Sequence, residues 1–499
     1  MKFISPQELG SIIPELILVA TLIVGIVLDL IVRDQDRKAV AVISLLGLVG
    51  AFFADLYAIA EPAHSMFSGM LIRDEFAVAL QVVALMAAAL TILISAWTAE
   101  VSQQLTAGKG EYYLMIIGAT IGMFFLLGST NLLMLYLSME LLSLPSYLLV
   151  GWLKRSRRST EAGIKYIVYG AGASCSMIYG ISLLYGLSGS LQLSGINDYL
   201  IRLAAQPDLP KSTFVLALIF TLAGFFFKIA AFPLFQWAPD VYEGAPTPIT
   251  AFLAVGSKAV GMGAMVRFLF FGMASRVTED LFAALGVMNW PLFIAIISAL
   301  TMTVGNFVAL AQTNAKRMLA YSSIAHAGYI LMGIPVLSVL GIQAILFYLL
   351  VYLIMNLGAF LSVIVLENRG ISPDMKNYTG LGARAPSVAV AFSVFLFSLT
   401  GIPPLAGFIG KVYLFAALIK GGIYWLAVIG VLNSVVSLYY YAGVVKRMFF
   451  DRAADETHIE SVPVLRVVLW ILVIPTVFLG IYWKPVMDIA HTAASTFGL

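Results

Sequence analysis

Cysteine and charge are both scarce in this chain of 499 residues. The single cysteine, Cys175, excludes a disulfide framework, an iron–sulfur cluster or a thiolate zinc site supplied by this chain alone. The four histidines lie far apart in the sequence, so they form no local zinc or haem motif. Charged residues make up 11% of the chain, whereas soluble domains have about 25%. The formal net charge of +3 is too small to indicate nucleic-acid binding.

Long apolar runs take the place of charge. Hydrophobic residues make up 61% of the chain, and apolar runs of 18 or more residues recur from end to end. Each is long enough to cross a bilayer core of roughly 30 Å as a helix. The strands of a membrane barrel would be shorter and would alternate apolar and polar residues. We therefore predict an all-α polytopic membrane protein of about fourteen transmembrane helices. The first apolar run is expected to be a retained span, since no small-residue cleavage site follows it.

Basic residues test the predicted order of the spans, because Lys and Arg collect in loops on the cytoplasmic side. Loops that follow odd-numbered spans are rich in these residues, and the opposite loops are poor in them. Basic groups in these loops include Arg33, Arg37 and Lys38; Lys154, Arg155, Arg157 and Arg158; Lys316 and Arg317; Arg369, Lys376 and Arg384; and Lys446, Arg447 and Arg452. With an even number of spans, both termini are then predicted to face the periplasm.

A weak internal repeat divides the chain. The segment LLSLPSYLLVG at 141–151 resembles SSIAHAGYILMG at 322–333, and an apolar run interrupted at Pro233 corresponds to one interrupted at Pro403. Each unit then holds about five spans, an odd number that inserts the second copy upside down, with a broken helix in each. The predicted parts are three N-terminal helices at 1–111, a first repeat at 112–272, an inverted repeat at 290–449 and a last helix at 450–499.

Four charged side chains stand out inside the apolar runs, where a charge costs roughly 2.5–3.5 kcal/mol at mid-span. Glu140 lies in the fifth span, and Lys228 lies five residues before Pro233, where the helix must break or kink and free backbone carbonyls. Lys258 is flanked by glycines, and Lys411 follows the second break, loosely mirroring Lys228. Structural roles stay open for three of them: an ion pair or capped helix end for Glu140, snorkelling for Lys228 and a carbonyl contact for Lys258.

His326 in the tenth span is a fifth candidate, because imidazole titrates near neutral pH, although a structural role is equally open. Lys165 lies one turn from a basic loop, so we expect it to snorkel. A carboxylate within roughly 4–6 Å of a buried lysine favours the charged amine. A movable Glu140 would therefore switch Lys228 between holding a proton and passing it toward Lys258.

Several long segments resemble the antiporter-like membrane subunits of NADH:quinone oxidoreductase, respiratory complex I. They are YLSMELLSLPSYLLVG, EAGIKYIVYGAGAS, FFFKIAAFPLFQWAPDVYEGAPTPITAFLAVGSK, MLAYSSIAHAGY and GIPPLAGFIGK. The last two are similar to the subunit N group in particular. The twelfth-span position is Lys411, where subunit M typically has a glutamate, and the long lateral helix of subunit L is not expected here.

This resemblance implies a proton half-channel in each repeat, joined by buried lysines and water. It implies that Glu140 pairs with Lys228, that Lys258 is the central carrier and that Lys411 serves the connection to the periplasm. No cofactor or metal is expected on this chain, with NADH, FMN, iron–sulfur clusters and quinone on other subunits. The implied partners are subunit M, small subunits such as K, and the lipid of the bacterial inner membrane.

Two other functions stay open at this point. One is a subunit of a multi-subunit cation/proton antiporter, whose membrane proteins share the broken helices. The other is a membrane scaffold that conducts no protons, although the cost of inserting three mid-span lysines weighs against it.

Overall fold

The apolar runs of the sequence form long helices in the computed structural model, which describes residues 6–31, 38–58, 63–104, 109–205, 211–286, 288–452, 457–459, 461–495 and 497. Arg33 and Arg37 lie outside the described residues. Within them, twelve helices are long and apolar enough to cross a membrane. The predicted all-α polytopic membrane fold is therefore confirmed.

The N-terminal part contains three long helices and a short hairpin. Its helices are α1 (Pro6–Ser11), α2 (Ile13–Ile31), α3 (Lys38–Ala58), α4 (Glu75–Ala96) and α5 (Ala99–Gln104). Strands β1 (His64–Met66) and β2 (Leu71–Arg73) pair antiparallel just before α4. Asp74 caps α4, because its side chain accepts a hydrogen bond from the backbone N–H of Ala77 at 2.8 Å. The hairpin thus places Arg73 and Asp74 together at one end of these helices.

The first broken helix lies in the next part of the chain. Its helices are α6 (Lys109–Gly128), α7 (Leu132–Val150), α8 (Arg157–Ser188), α9 (Leu193–Ala205), α10 (Lys211–Ile229), α11 (Trp237–Gly244), α12 (Thr247–Phe252) and α13 (Lys258–Met273). The break separates α10 from α11 at Pro233, as predicted. A π-helical segment, Leu253–Ser257, joins α12 and α13 into one continuous span, and no sequence pattern had indicated it.

The second broken helix follows a hairpin of β3 (Ala274–Arg276) and β4 (Phe282–Ala284). The remaining helices are α14 (Trp290–Ala309), α15 (Ala315–Leu331), α16 (Val339–Glu367), α17 (Leu381–Arg384), α18 (Pro386–Thr400), α19 (Ala406–Lys420), α20 (Tyr424–Phe449), α21 (Pro463–Ile481) and α22 (Lys484–Ser495). The break between α18 and α19 contains Pro403, as predicted. The prediction of about fourteen spans corresponds to the twelve long helices, the 17-residue α15 and the α18–α19 pair. The division into two repeats stays a prediction.

The centre of the protein is formed by the α12–α13 span, α15 and α16, whose residues are almost all buried. Helices α2, α3 and α8 lie outside and expose apolar side chains such as Leu30, Tyr57 and Val168. An apolar outer face needs no compensation in a bilayer, because lipid tails are equally apolar. Two of the predicted path residues, Lys258 and His326, are therefore carried by the innermost helices.

Two glycines bring α14 against α15. A Cβ at Gly305 would lie 2.6 Å from the backbone nitrogen of Ala325, and a Cβ at Gly328 would lie 2.5 Å from that of Met302. Both contacts are too close for a real Cβ, and backbone atoms on the facing helix cannot yield as a flexible side chain can. The two helices therefore contact each other backbone to backbone.

We expect Gly305→Ala to destabilise the protein by about 1–3 kcal/mol, the range for overpacked cores. The measurement is the amount of folded chain in membranes and its loss on heating. Gly443→Ala is the matched control, since a Cβ at that position of α20 meets nothing within 4 Å. Equal amounts and equal heat resistance of the two variants would contradict the close approach of α14 and α15.

Candidate functional site

Lys228 lies on the last turn of α10, directly before the first break. The residue is buried, and its Nζ donates a hydrogen bond to Ser143 Oγ on α7 at 2.9 Å. Its aliphatic stem packs on Gly261 of α13, where a Cβ would lie 2.9 Å from Lys228 Cγ. Gly261 lies one helical turn beyond Lys258, so the absence of a side chain there lets Lys228 lie close to the helix that carries the next lysine.

The carbonyl of Phe227, next to Lys228, is occupied, so this carbonyl is not left free by the break. Phe227 O accepts a hydrogen bond from the indole Nε1 of Trp237 at 3.1 Å and another from the backbone nitrogen of Ala230 at 3.1 Å. Trp237 begins α11 and lies against α10, where its indole takes the acceptor that the break releases. A side-chain hydroxyl, that of Ser143, therefore holds the lysine amine.

Glu140 lies in the middle of α7, one turn before Ser143, and is half-buried. Its Oε1 accepts a hydrogen bond from the hydroxyl of Ser174 on α8. Among the described residues, no lysine or arginine nitrogen lies within 4.0 Å of this carboxylate. The carboxylate is thus held toward α8 in this conformation, and its pairing with Lys228 stays a prediction.

Lys258 begins α13 immediately after the π-helical segment. Its Nζ donates to both oxygens of Ser323 on α15, to the carbonyl at 2.8 Å and to Oγ at 2.6 Å. The carbonyl contact that was considered as a structural role is therefore present, together with a hydroxyl contact. π-Helical segments are frequent at functional sites because they shift side chains out of regular helical register.

His326 lies one turn beyond Ser323 on α15 and is also buried. Its Nδ1 forms a hydrogen bond with the hydroxyl of Tyr348 on α16 at 2.9 Å, and its ring lies 5.1 Å from that of Tyr352. The imidazole therefore faces the centre of the protein from the helix that also binds Lys258.

Lys411 lies on α19, after the second break. Its Nζ donates to Thr400 O at 2.7 Å and to Ser434 Oγ on α20 at 3.1 Å, and it lies 4.4 Å from the centre of the Tyr329 ring on α15. Here the lysine itself takes a carbonyl at the end of α18. Lys411 follows its break whereas Lys228 precedes its own, so the likeness between the two positions is only approximate.

Further polar side chains extend from Lys411, and sequence reasoning did not find them. Ser434 Oγ donates to the Tyr329 hydroxyl at 3.3 Å, and Asn306 Nδ2 donates to the same hydroxyl at 3.4 Å. Tyr440 OH donates to Asn306 Oδ1 at 3.0 Å. For Tyr329, the available sequence signal was the polar run YSSIAHAGY at 321–329 within the span that forms α15.

Lys165 lies apart from these residues, in a charged cluster at one end of the bundle. Its Nζ lies 2.7 Å from Asp240 Oδ2 and 2.8 Å from Glu161 Oε1, and Arg317 donates to Asp240 Oδ1 at 2.8 Å. Partial burial raises the pKa of the Asp240 carboxyl, but the hydrogen bonds from Lys165 and Arg317 outweigh it and leave that pKa below its usual value. Ion pairs thus hold Lys165, beyond the simple snorkelling that was expected.

Comparisons with known proteins identify the family. Residues 129–437 match the family described as NADH:quinone oxidoreductase/Mrp antiporter, TM. The chain is 40% identical to NADH-quinone oxidoreductase subunit N 2 of Chloroherpeton thalassium, over 98% of this chain and 95% of that protein. A chain of respiratory complex I from Thermus thermophilus is 31% identical with a TM-score of 0.78, over 95% of this chain and 99% of that one. A chain of the Mrp complex from a Dietzia species shares the fold, with a TM-score of 0.81 and 20% identity over 97% of each chain. This protein therefore belongs to the NADH:quinone oxidoreductase/Mrp antiporter family, as an antiporter-like membrane-arm subunit related to NADH-quinone oxidoreductase subunit N.

Proposed function

We propose that this chain conducts protons across the bacterial inner membrane as a subunit of NADH:quinone oxidoreductase, driven by quinone reduction on other subunits. The observation that supports this most strongly is that α15 contacts two buried lysines from separate spans. Ser323 accepts from Lys258, the Tyr329 ring lies beside Lys411, and His326 lies between them on the same helix. Six residues of helix rise about 9 Å, so short proton steps along α15 link the two amines.

Each of the three lysines of the proposed path has a serine hydroxyl as a partner. The pairs are Lys228 with Ser143, Lys258 with Ser323 and Lys411 with Ser434. A charged ammonium group only donates hydrogen bonds, whereas a hydroxyl both donates and accepts. The serine accepts from the charged amine and turns its proton toward the neutral amine, so each lysine keeps a partner in both protonation states. This lowers the cost of releasing and regaining a proton at a site without bulk water.

In the proposed sequence, a proton reaches Lys228 when the charge of Glu140 stabilises the ammonium form. Withdrawal of that charge favours release toward Lys258, and His326 relays the proton to Lys411 on the way to the periplasm. At about 4 Å and an effective dielectric constant of 20, two unit charges interact by about 4 kcal/mol, enough to reverse the direction of transfer.

Glu140 is also placed to sense a neighbouring subunit. The same helix exposes Leu137, Leu141 and Leu144, which form an apolar face beside the carboxylate. Subunits M and K of the complex are the proposed partners, and both termini are proposed to face the periplasm. Coupling then consists of a charge in the partner moving the Glu140 carboxylate toward or away from Lys228.

We expect Glu140→Gln to lower proton pumping at least about tenfold, since glutamine keeps the shape of the side chain but not the charge that acts on Lys228. Quinone reduction and proton uptake are measured together in inverted membrane vesicles, with assembly of the complex checked separately. Glu279→Gln, at an exposed position, is the matched control. Full coupled pumping by an assembled Glu140→Gln complex would contradict the proposed role.

The cation/proton antiporter has support from the shared fold, whereas the subunit N relatives match the whole chain at higher identity. The two functions are distinguished in the same vesicles. Sodium uptake driven by a proton gradient, in the absence of NADH and quinone, would favour the antiporter.

A further inference from the structure

A buried polar cluster lies outside the proposed proton path, where α2, α3 and β2 meet. It consists of Glu15, Asp55 and Arg73, which are 7%, 0% and 5% exposed. The Arg73 guanidinium donates through NH2 to Asp55 Oδ1 and through NH1 to the carbonyl of Ser11 at 2.8 Å. NH1 also lies 3.9 Å from Glu15 Oε2, beyond hydrogen-bond distance. Arg73 therefore interacts more strongly with Asp55 than with Glu15.

The charges of this cluster do not balance if both carboxyls are ionised. Two carboxylates then face one guanidinium, and among the described residues no second lysine or arginine nitrogen lies within 4.0 Å of either carboxylate. Asp74 is already paired with Arg267 through hydrogen bonds of 2.7 and 2.8 Å, and His64 Nε2 is bonded to Ser11 Oγ at 2.6 Å. A buried charge without a partner of opposite sign is strongly unfavourable. One proton on a carboxyl removes that charge.

A small cavity adjoins the cluster. Its volume is about 10 Å³, and Glu15, Arg73 and Gln81 are among its lining residues. Three buried polar atoms, Glu15 Oε2, Arg73 Nε and Gln81 Oε1, have no hydrogen-bond partner within the described part of the chain. A polar cavity of this size holds about one water molecule, which needs two to four partners. Such a water accepts from Arg73 Nε and donates to the two oxygens.

We propose that Glu15, Asp55 and Arg73 form a proton-binding site that also holds one ordered water molecule. Asp55 is ionised and takes the guanidinium, and Glu15 carries the proton. The site is separate from Glu140 and the three lysines, so it is a second place in this chain where a proton is held.

The test is infrared spectroscopy of the assembled complex, which separates the C=O band of a protonated carboxyl from carboxylate bands. We expect the wild-type minus Glu15→Gln difference spectrum at neutral pH to contain one protonated-carboxyl band, and Glu279→Gln to give none. Asp55→Asn leaves Glu15 as the only carboxylate beside Arg73, so Glu15 ionises and the same band is lost. If the protonated-carboxyl band is still present in the spectrum of Glu15→Gln, the proposed site is overturned. If the band is lost in Glu15→Gln but kept in Asp55→Asn, the two carboxyls do not share a single proton.

The water is tested independently of the variants. A density map of the wild-type complex that resolves ordered waters should contain one between Glu15, Arg73 and Gln81. Absence of that density, in a map showing other buried waters, overturns the water part of the proposal. If Asp55→Asn fails to assemble, the Glu15→Gln spectrum alone decides the proton.

Discussion

Replacing Lys228 with alanine is expected to lower proton pumping at least about tenfold in a complex that still assembles. The substitution removes the amine that donates to Ser143 and that packs on Gly261. In the proposed path, Lys228 is the group that takes the proton between Glu140 and Lys258. Quinone reduction is expected to fall with pumping, because the two processes are tightly coupled in the proposed function. Both are measured together in membrane vesicles.

A second substitution at this position separates proton transfer from structural support. Lys228→Arg keeps a positive charge, but an arginine side chain does not release its proton in proteins. We expect this variant to assemble and to pump no better than Lys228→Ala. Lys420→Ala, at the exposed end of α19, is the control and is expected to pump normally. Normal pumping by either variant at position 228 would show that the lysine has a structural role.

Replacing Arg267 with alanine is expected to have the largest effect on stability, about 3–5 kcal/mol, because it leaves the Asp74 carboxylate buried without its cation. Arg267 is fully buried, donates twice to Asp74 and donates once to Leu127 O at 2.8 Å. Its guanidinium also lies 5.2 Å from the centre of the Phe76 ring and 5.5 Å from that of Phe497. The measurements are the amount of folded chain in membranes and its resistance to heat in detergent.

The control for this prediction is an ion pair of the same kind at the surface. Lys376 lies 3.1 Å from Asp374, with 78% of the lysine side chain exposed, so Lys376→Ala is expected to leave the stability nearly unchanged. A double variant, Arg267→Met with Asp74→Asn, removes both buried charges while the amide still caps α4. It is expected to recover part of the lost stability. The prediction fails if Arg267→Ala and Lys376→Ala are equally stable.

Sequence patterns predicted the helices and their breaks because both depend on local properties. Apolar runs must span the bilayer as helices, and proline at 233 and 403 removes a backbone donor wherever it lies. The buried lysines were also predictable, from the cost of placing charge in an apolar run. Their partners were not, since Ser143 and Ser323 lie 85 and 65 residues from the lysines that they contact.

The N-terminal cluster shows the same limit more sharply. Glu15 and Asp55 lie near the ends of spans, where a charged residue ordinarily reaches water, and Arg73 lies in the connection between α3 and α4. Only the β1–β2 hairpin, which carries Arg73 back between α2 and α3, makes all three buried. Nothing in the local sequence indicates that return.

The contact between α14 and α15 has a mechanical consequence. Because the backbones meet at Gly305 and Gly328, there is no layer of side chains between the helices to absorb a displacement. A shift of α15 along its axis must carry α14 with it, and it changes the hydrogen bond at Lys258 and the ring contact at Lys411 in the same instant. The contacts of Lys258 and Lys411 are therefore coupled through the movement of one helix.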